Sequence, residues 1–272
     1  MNIGCHVSIA GGIWEAPQRA ADLGCECFQM FTRPPQGGKA PTLTNEICEK
    51  FKVQSARFKI KEVYIHTPYY INFASVNNRI RYGSISVVRD ELERGSLIGA
   101  KYVMTHLGTA KDLGEEAIPK TIEMLKKCLD GYSGTTQLLL ENSAGAGAII
   151  GDDLKELGNI IKEVGNKNIA GICLDTQHSF ASGYDWNDFE KTLEKIDKEI
   201  GLENIKLFHV NNSESELGSK KDRHAHLDSG KINPEAFQKI VEFAQKNNID
   251  LILETEHDQV KEDIEILKGF RK

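Results

Sequence analysis

Residues 172–185, ICLDTQHSFASGYD, run an apolar stretch up to a carboxylate, Asp175, and deliver an imidazole, His178, three positions later. On a straight strand, residues three apart point to opposite faces. If Asp175 closes the strand and His178 lies on the loop just beyond, both face one cavity. There they have the chemistry to bind one metal ion or to serve two neighbouring ions. Taken alone, such a pair reads more simply as an aspartate capping the next turn and a histidine bonded to backbone.

The pattern recurs along the chain. Apolar runs end on potential ligands in VYIH, VMTH, LLLE, ICLD, LFHV and LILE, which supply His66, His106, Glu141, Asp175, His209 and Glu254. His6 and Gln29 close two earlier runs, and Asp222 and His224 follow the seventh in KKDRHAH. So many charged and imidazole groups converging without compensation are too costly to bury. Divalent cations remove that cost by pairing with the charges. The donor set is five histidines (His66, His106, His178, His209, His224) and four carboxylates (Glu141, Asp175, Asp222, Glu254), with no cysteine. Mixed nitrogen and oxygen donors suit Zn²⁺, admit Mn²⁺ or Fe²⁺, and disfavour Mg²⁺ and Ca²⁺. A catalytic zinc takes about three protein ligands and keeps one position open, so this set serves three ions, with one carboxylate free to bridge a pair. Clusters of that kind activate water and stabilise the attacking and leaving oxygens of a phosphoryl group. Phosphoester hydrolysis is the expected chemistry.

Eight apolar, strand-like runs position these residues: 3–7, 25–31, 62–66, 102–106, 137–141, 169–175, 205–210 and 251–254. Amphipathic segments alternate with them, most clearly 44–58, 88–97, 115–129, 154–164, 188–200 and 235–246. In 115–129, Ile118, Ile122, Leu125 and Leu129 recur at helical spacing. Alternation of this kind predicts an α/β fold, a single (β/α)₈ TIM barrel with the metal site at the C-terminal face of its strands, where such barrels do chemistry. A doubly wound sheet fits less well, because neither GxGxxG nor GxxxxGK[ST] follows an early strand. No linker or low-complexity tract divides the chain, so residues 1–272 are expected to form one domain.

Composition agrees with that picture. The 272 residues are 40% hydrophobic and 27% charged, as in ordinary soluble globular proteins. MNIGCHVSIAGG lacks the basic and apolar regions of a secretory signal, and no apolar run approaches the roughly 18 residues of a membrane span. The expectation is a cytoplasmic protein with no membrane partner, monomeric by default. Its six cysteines, spread over a chain of this length, read as small apolar filler rather than as disulfides or a zinc ribbon. The formal net charge of −6 argues mildly against a nucleic-acid partner. Three divalent ions would offset it, since together they bring +6, and would leave a positive cleft.

These residues resemble the endonuclease IV family of apurinic/apyrimidinic (AP) endonucleases. The resemblance runs the full length, through GCHVSIAGG, IHTPYYIN, MTHLG, LLENSAGAG, LDTQHSFASGYD, FHVNNSESELGSKKDRHAHL and LILET. It implies a trinuclear zinc site that cleaves double-stranded DNA 5′ to an abasic site and leaves a 3′-hydroxyl. Carried over by position, His66, His106 and Glu141 hold the first zinc. Glu141, Asp175, His209 and Glu254 hold the second, and His178, Asp222 and His224 the third. Glu141 bridges the first two and helps to orient or deprotonate the attacking hydroxide. Mn²⁺ is an alternative at one site. Tyr69 and Tyr70 match positions that wedge into the base stack, while Arg33, Lys39, Lys220, Lys221 and Arg223 fall on rim loops within reach of phosphates. His6, His226 and His257 are not among the implied ligands and are expected to support or border the site.

The chain departs from the family pattern at three places: the loop FTRPPQGGKAP lacks an aromatic and basic run, Asp228-Ser229-Gly230 replaces Gly-Glu-Gly, and Leu107 stands in His-Pro-Gly. None removes a ligand. The alternatives are a metal-dependent sugar isomerase or epimerase of the xylose isomerase-like superfamily, and a damage-binding protein without turnover.

Overall fold

A computed structural model describes residues 1–271. Eight parallel strands close into a barrel: β1 (Ile3–His6), β2 (Cys27–Met30), β3 (Glu62–His66), β4 (Tyr102–Thr105), β5 (Gln137–Glu141), β6 (Ile169–Asp175), β7 (Ile205–His209) and β8 (Asp250–Leu253). Neighbours in sequence are neighbours in space, and β1 shuts the ring against β8 with Ile3 opposite Leu251. Every strand has two buried faces, which is why each reads as an apolar run rather than an alternation.

Alternation reappears in what each face touches. Cys27, Tyr64, Met104, Leu139, Cys173, Leu207 and Ile252 form one small cluster that fills the barrel interior. Their neighbours along the strands, such as Phe28, Ile65, Val103, Leu138, Leu140 and Phe208, belong to the larger core between strands and helices. Side chains two apart share a face. Hence Gln29, His66, His106, Glu141, Asp175, His209 and Glu254, each two positions beyond an interior core residue, line the next layer up. On β1 the interior position below His6 is Gly4, where a Cβ would sit 1.7 Å from the Cys27 carbonyl oxygen. Only glycine lets β1 and β2 come that close.

The helices are α1 (Ala16–Asp22), α2 (Asn45–Arg57), α3 (Asn78–Ile98), α4 (Ala117–Leu129), α5 (Leu154–Val164), α6 (Thr176–Ala181), α7 (Phe189–Ile200), α8 (Pro234–Asn247) and α9 (Val260–Phe270). Their starts follow capping rules: the Thr44, Asn77 and Asp153 side chains accept from the backbone amides of Ile47, Arg79 and Lys155. Helix α3 begins ten residues before the expected 88, because the polar stretch Asn78–Val87 shows little apolar periodicity and gains its helicity from the Asn77 cap and from packing. The short helices α1 and α6 carry too few repeats to stand out in the sequence. A ribbon of two residues per strand, Asn212–Ser213 with His224–Ala225, folds the chain after β7 back over the barrel mouth. No helix among the described residues is long and apolar enough to cross a membrane.

Candidate metal centre

Three groups of donors stand at the C-terminal mouth of the barrel, each with its ligand atoms within 4.8 Å of one another: His66, His106 and Glu141; Glu141, Asp175, His209 and Glu254; and Asp175, His178 and His224. Glu141 is fully buried and divides its two oxygens between neighbours. Oε2 lies 2.8 Å from His66 Nε2 and 3.5 Å from His106 Nε2, while Oε1 lies 2.8 Å from His209 Nδ1. A carboxylate so placed is built to bridge two cations. Glu254 Oε2 approaches the same His209 nitrogen at 3.2 Å.

His178 is not on a loop: it lies in the first turn of α6, a helix of six residues that starts directly where β6 ends. Asp175 therefore does both things that the sequence leaves open. Its Oδ1 caps α6 by accepting from the His178 amide at 2.7 Å, and its carboxylate joins two of the three donor groups. Asp222 lies outside the tightest third group, yet its oxygens are 3.4 Å from His178 Nε2 and 3.5 Å from His224 Nε2. It is the exposed member of the set, with its side chain 61% accessible. Its loop is tied to α6 by Gln177 Nε2 donating to the Lys221 carbonyl and by the Lys220 amide donating to the Ala181 carbonyl, both at 2.9 Å.

Partners behind the ligands set their orientation. His66 Nδ1 donates to the Thr67 carbonyl at 2.6 Å and His178 Nδ1 to the Asn142 carbonyl at 3.1 Å, which leaves Nε2 of each ring to face the site. Asn142 also clamps the backbone of Asp175 through two bonds of 2.7 and 3.1 Å. Asn211 donates to Asp175 Oδ2 at 2.7 Å and accepts from the Glu254 amide at 2.8 Å. Neither asparagine stands out in the sequence. Their signal there is position, Asn142 directly following Glu141 and Asn211 two beyond His209, and membership in the segments LLENSAGAG and FHVNNSESELGSKKDRHAHL.

The donors fit divalent cations. They combine nitrogen and oxygen, as Zn²⁺ and Mn²⁺ prefer. His224 Nε2 is buried with no hydrogen-bond partner among the described residues and points between Asp175 and Asp222, at 3.8 and 3.5 Å. A divalent cation held between the two carboxylates would satisfy such an atom. Above the donors opens a cavity of about 550 Å³, lined also by His6, Phe31, Tyr69, Ile149 and His257.

Electrostatics sort the imidazoles. Burial holds His106 down at about 4, so it is neutral and ready to bind. Burial also opposes charge on His178, but Asp175, Asp222 and Glu141 outweigh it and push the pKa up to about 10. His178 thus keeps its proton at neutral pH when only carboxylates face it, and an ion must displace that proton to reach Nε2. Metal loading is expected to release protons, and affinity is expected to rise with pH up to about 10. Calorimetric titration in buffers of different ionisation enthalpy measures both. Loading with no proton release would contradict this ordering.

The outer residues separate sharply. Tyr69 is 68% exposed, its ring 5.3 Å from Phe31 and 6.5 Å from His66, and Tyr70 is exposed beside it. Arg223 is exposed next to Asp222. Lys39, Lys220 and Lys221 are exposed as well, Lys220 within 3.5 Å of Asp152. Arg33 is the correction. It is buried, and its guanidinium is spent on Glu91 and Asp90 of α3 rather than offered at the rim. Glu91, fully buried, needs that counter-charge. Arg33→Ala is expected to destabilise the fold by about 3 kcal/mol, because it strands a buried carboxylate. Urea unfolding measures this, and an unchanged midpoint would return Arg33 to the candidate phosphate contacts.

The chain is similar to known proteins over nearly its whole length. The family described as "Xylose isomerase-like TIM barrel" matches residues 17–270. "Probable endonuclease 4" of Nitrosopumilus maritimus (strain SCM1) is 38% identical over 278 residues, which cover 100% of this chain and 99% of that protein. The crystal structure of endonuclease IV from Thermus thermophilus superimposes with a TM-score of 0.88 at 29% identity, covering 99% of this chain and 98% of that one. A D-tagatose 3-epimerase-like protein superimposes with a TM-score of 0.75 at 20% identity, covering 99% of this chain and 97% of that one. At that identity the likeness extends to the barrel alone.

Proposed function

This chain belongs to the endonuclease IV family of AP endonucleases, and from that premise we propose that it hydrolyses the phosphodiester 5′ to an abasic site in double-stranded DNA, leaving a 3′-hydroxyl. The observation that carries the proposal is the pair of Glu141 oxygens, each turned to a different donor group, beneath a cavity that His66, His106, His178, His224 and Glu254 line. Three zinc ions, one of them replaceable by Mn²⁺, would when bound supply Lewis acidity at the phosphate and lower the pKa of water.

The residues do the rest. His66, His106 and Glu141 would hold the first ion, Glu141, Asp175, His209 and Glu254 the second, and His178, Asp222 and His224 the third, with Asp175 within reach of the last group. Glu141 stays ionised: burial opposes charge there, but the surrounding histidines hold its carboxyl well below the usual range. It would orient the attacking water and pass its proton on: as the new P–O bond forms, the bond from phosphorus to the 3′-oxygen breaks, and that oxygen takes up a proton to leave as the 3′-hydroxyl. Tyr69, at the cavity edge, and the exposed Tyr70 next to it in sequence wedge beside the abasic nucleotide. Turning that nucleotide out of the helix costs little, since no base remains to unstack. Arg223 contacts the backbone phosphates. The molecule acts as one domain in the cytoplasm.

The competing sugar isomerase reading leaves Asp222 and His224 without a task, because such barrels work with one or two ions. A labelled duplex carrying one tetrahydrofuran abasic analogue decides the matter. Metal-loaded protein is expected to make a single nick 5′ to the analogue. Intact duplex after incubation with protein shown to contain its ions would sink the proposal.

A further inference from the structure

Gln29, fully buried at the end of β2, has an amide that no ligand scheme uses. Three partners surround it. Its Nε2 lies 2.7 Å from Glu254 Oε1 and 3.0 Å from His6 Nδ1, and its Oε1 lies 2.7 Å from His209 Nε2. A ligating carboxylate has no proton to give, so the amide must turn its NH₂ to Glu254 and its carbonyl to His209. His209 Nε2 therefore carries the ring hydrogen. That leaves Nδ1, the nitrogen facing Glu141 and Glu254 at 2.8 and 3.2 Å, with its lone pair free. The second amide hydrogen meets His6 Nδ1, which has to accept it. The hydrogen of His6 is then on Nε2, which has no hydrogen-bond partner among the described residues. His6 lines the cavity, with its ring held 4.5 Å from Phe31 and its carbonyl accepting from His257 Nε2 at 2.9 Å.

We infer that Gln29 is a positioning residue with two outputs: it selects Nδ1 of His209 as the nitrogen open to the second ion, and it makes His6 an N–H donor to an anionic oxygen of the substrate in the cavity. The second output rests on the phosphodiesterase reading; the first does not. A neutral amide is the group that does this, because it alone can donate to Glu254 and His6 while accepting from His209. Glutamate in its place would accept from His209 but repel Glu254, and methionine would fill the space without directing either ring.

The test uses the full chain loaded with zinc and labelled with ¹⁵N-histidine. Long-range proton–nitrogen spectra are expected to show His209 protonated on Nε2 and His6 protonated on Nε2. Chelator competition is expected to show Gln29→Met and Gln29→Glu weakened about 10- to 100-fold at one ion, the range found when partners behind metal ligands are removed. His6→Ala is expected to keep all three ions and to raise KM for abasic duplex about 10-fold or more, as loss of a hydrogen bond to a charged group does. Wild-type spectra with the His209 hydrogen on Nδ1, or Gln29 variants with undiminished zinc affinity, would overturn the positioning role. An unchanged KM in His6→Ala would overturn the donor role. The spectra and the zinc competition need no DNA. A protein that fails to nick abasic DNA yet shows these tautomers loses its proposed substrate and keeps the Gln29 assignment.

Discussion

Glu141→Gln is expected to lower the rate of nicking by on the order of 10³-fold or more while the barrel stays folded. The carboxylate supplies one negative charge and two acceptor oxygens, and each oxygen faces a different histidine group. The amide keeps the shape but removes the charge, and it turns an NH₂ toward one of the two groups. The charge that would bridge a first and a second ion is then lost. So is the group placed to orient the attacking water. Single-turnover nicking of an abasic duplex, run beside metal analysis and circular dichroism, reads this. Near wild-type turnover in a folded, metal-loaded Glu141→Gln protein would remove Glu141 from the mechanism.

Stripping the metal is expected to abolish nicking and to cost stability as well. Ions that bind only the folded chain stabilise it by mass action, about 4 kcal/mol when an ion is present at 1,000 times its Kd. The cost of removal should be felt at the barrel mouth, where Glu141, Asp175 and His209 are fully buried and lose the cations that balance them. Zn²⁺ or Mn²⁺ is expected to restore both nicking and the melting temperature. Mg²⁺ is expected to restore neither, since five of the nine donors are imidazoles and that ion favours oxygen. Retention of activity and melting temperature after exhaustive chelation would refute the metal reading at its root.

The barrel is legible in the sequence because its strands are buried on both faces and its helices on one, so apolar runs and apolar stripes alternate along the chain. The strand-end donors are legible for a related reason. A His, Asp or Glu that ends a run of Leu, Ile and Val stands out against its neighbours, and the barrel sends all such ends to one face. Shorter signals fail. A six-residue helix carries no periodicity, so α6 reads as loop, although the capping role of Asp175 that starts it is visible as one of two alternatives. Arg33 is misplaced by its sequence because its partners, Asp90 and Glu91, lie on a helix far along the chain, and the amphipathic pattern of 88–97 does not say which distant cation meets its acids. Asn142, Asn211 and the direction of the Gln29 amide are illegible for the same reason: a side-chain amide means nothing until its partners are known.

By itself, then, the order of residues determined the α/β alternation, the kinds of donor available and the strand ends that carry them, since side chains two apart along a strand share a face whatever the tertiary context. It also determined the chemistry that such donors favour. Only the closed barrel decided that Glu141 turns one oxygen to His66 and the other to His209, that Asp175 belongs to two groups at once, and that one buried amide sets two imidazoles. Those are matters of ångströms between residues from different strands. They exist only once β1 has met β8 and the ring is shut.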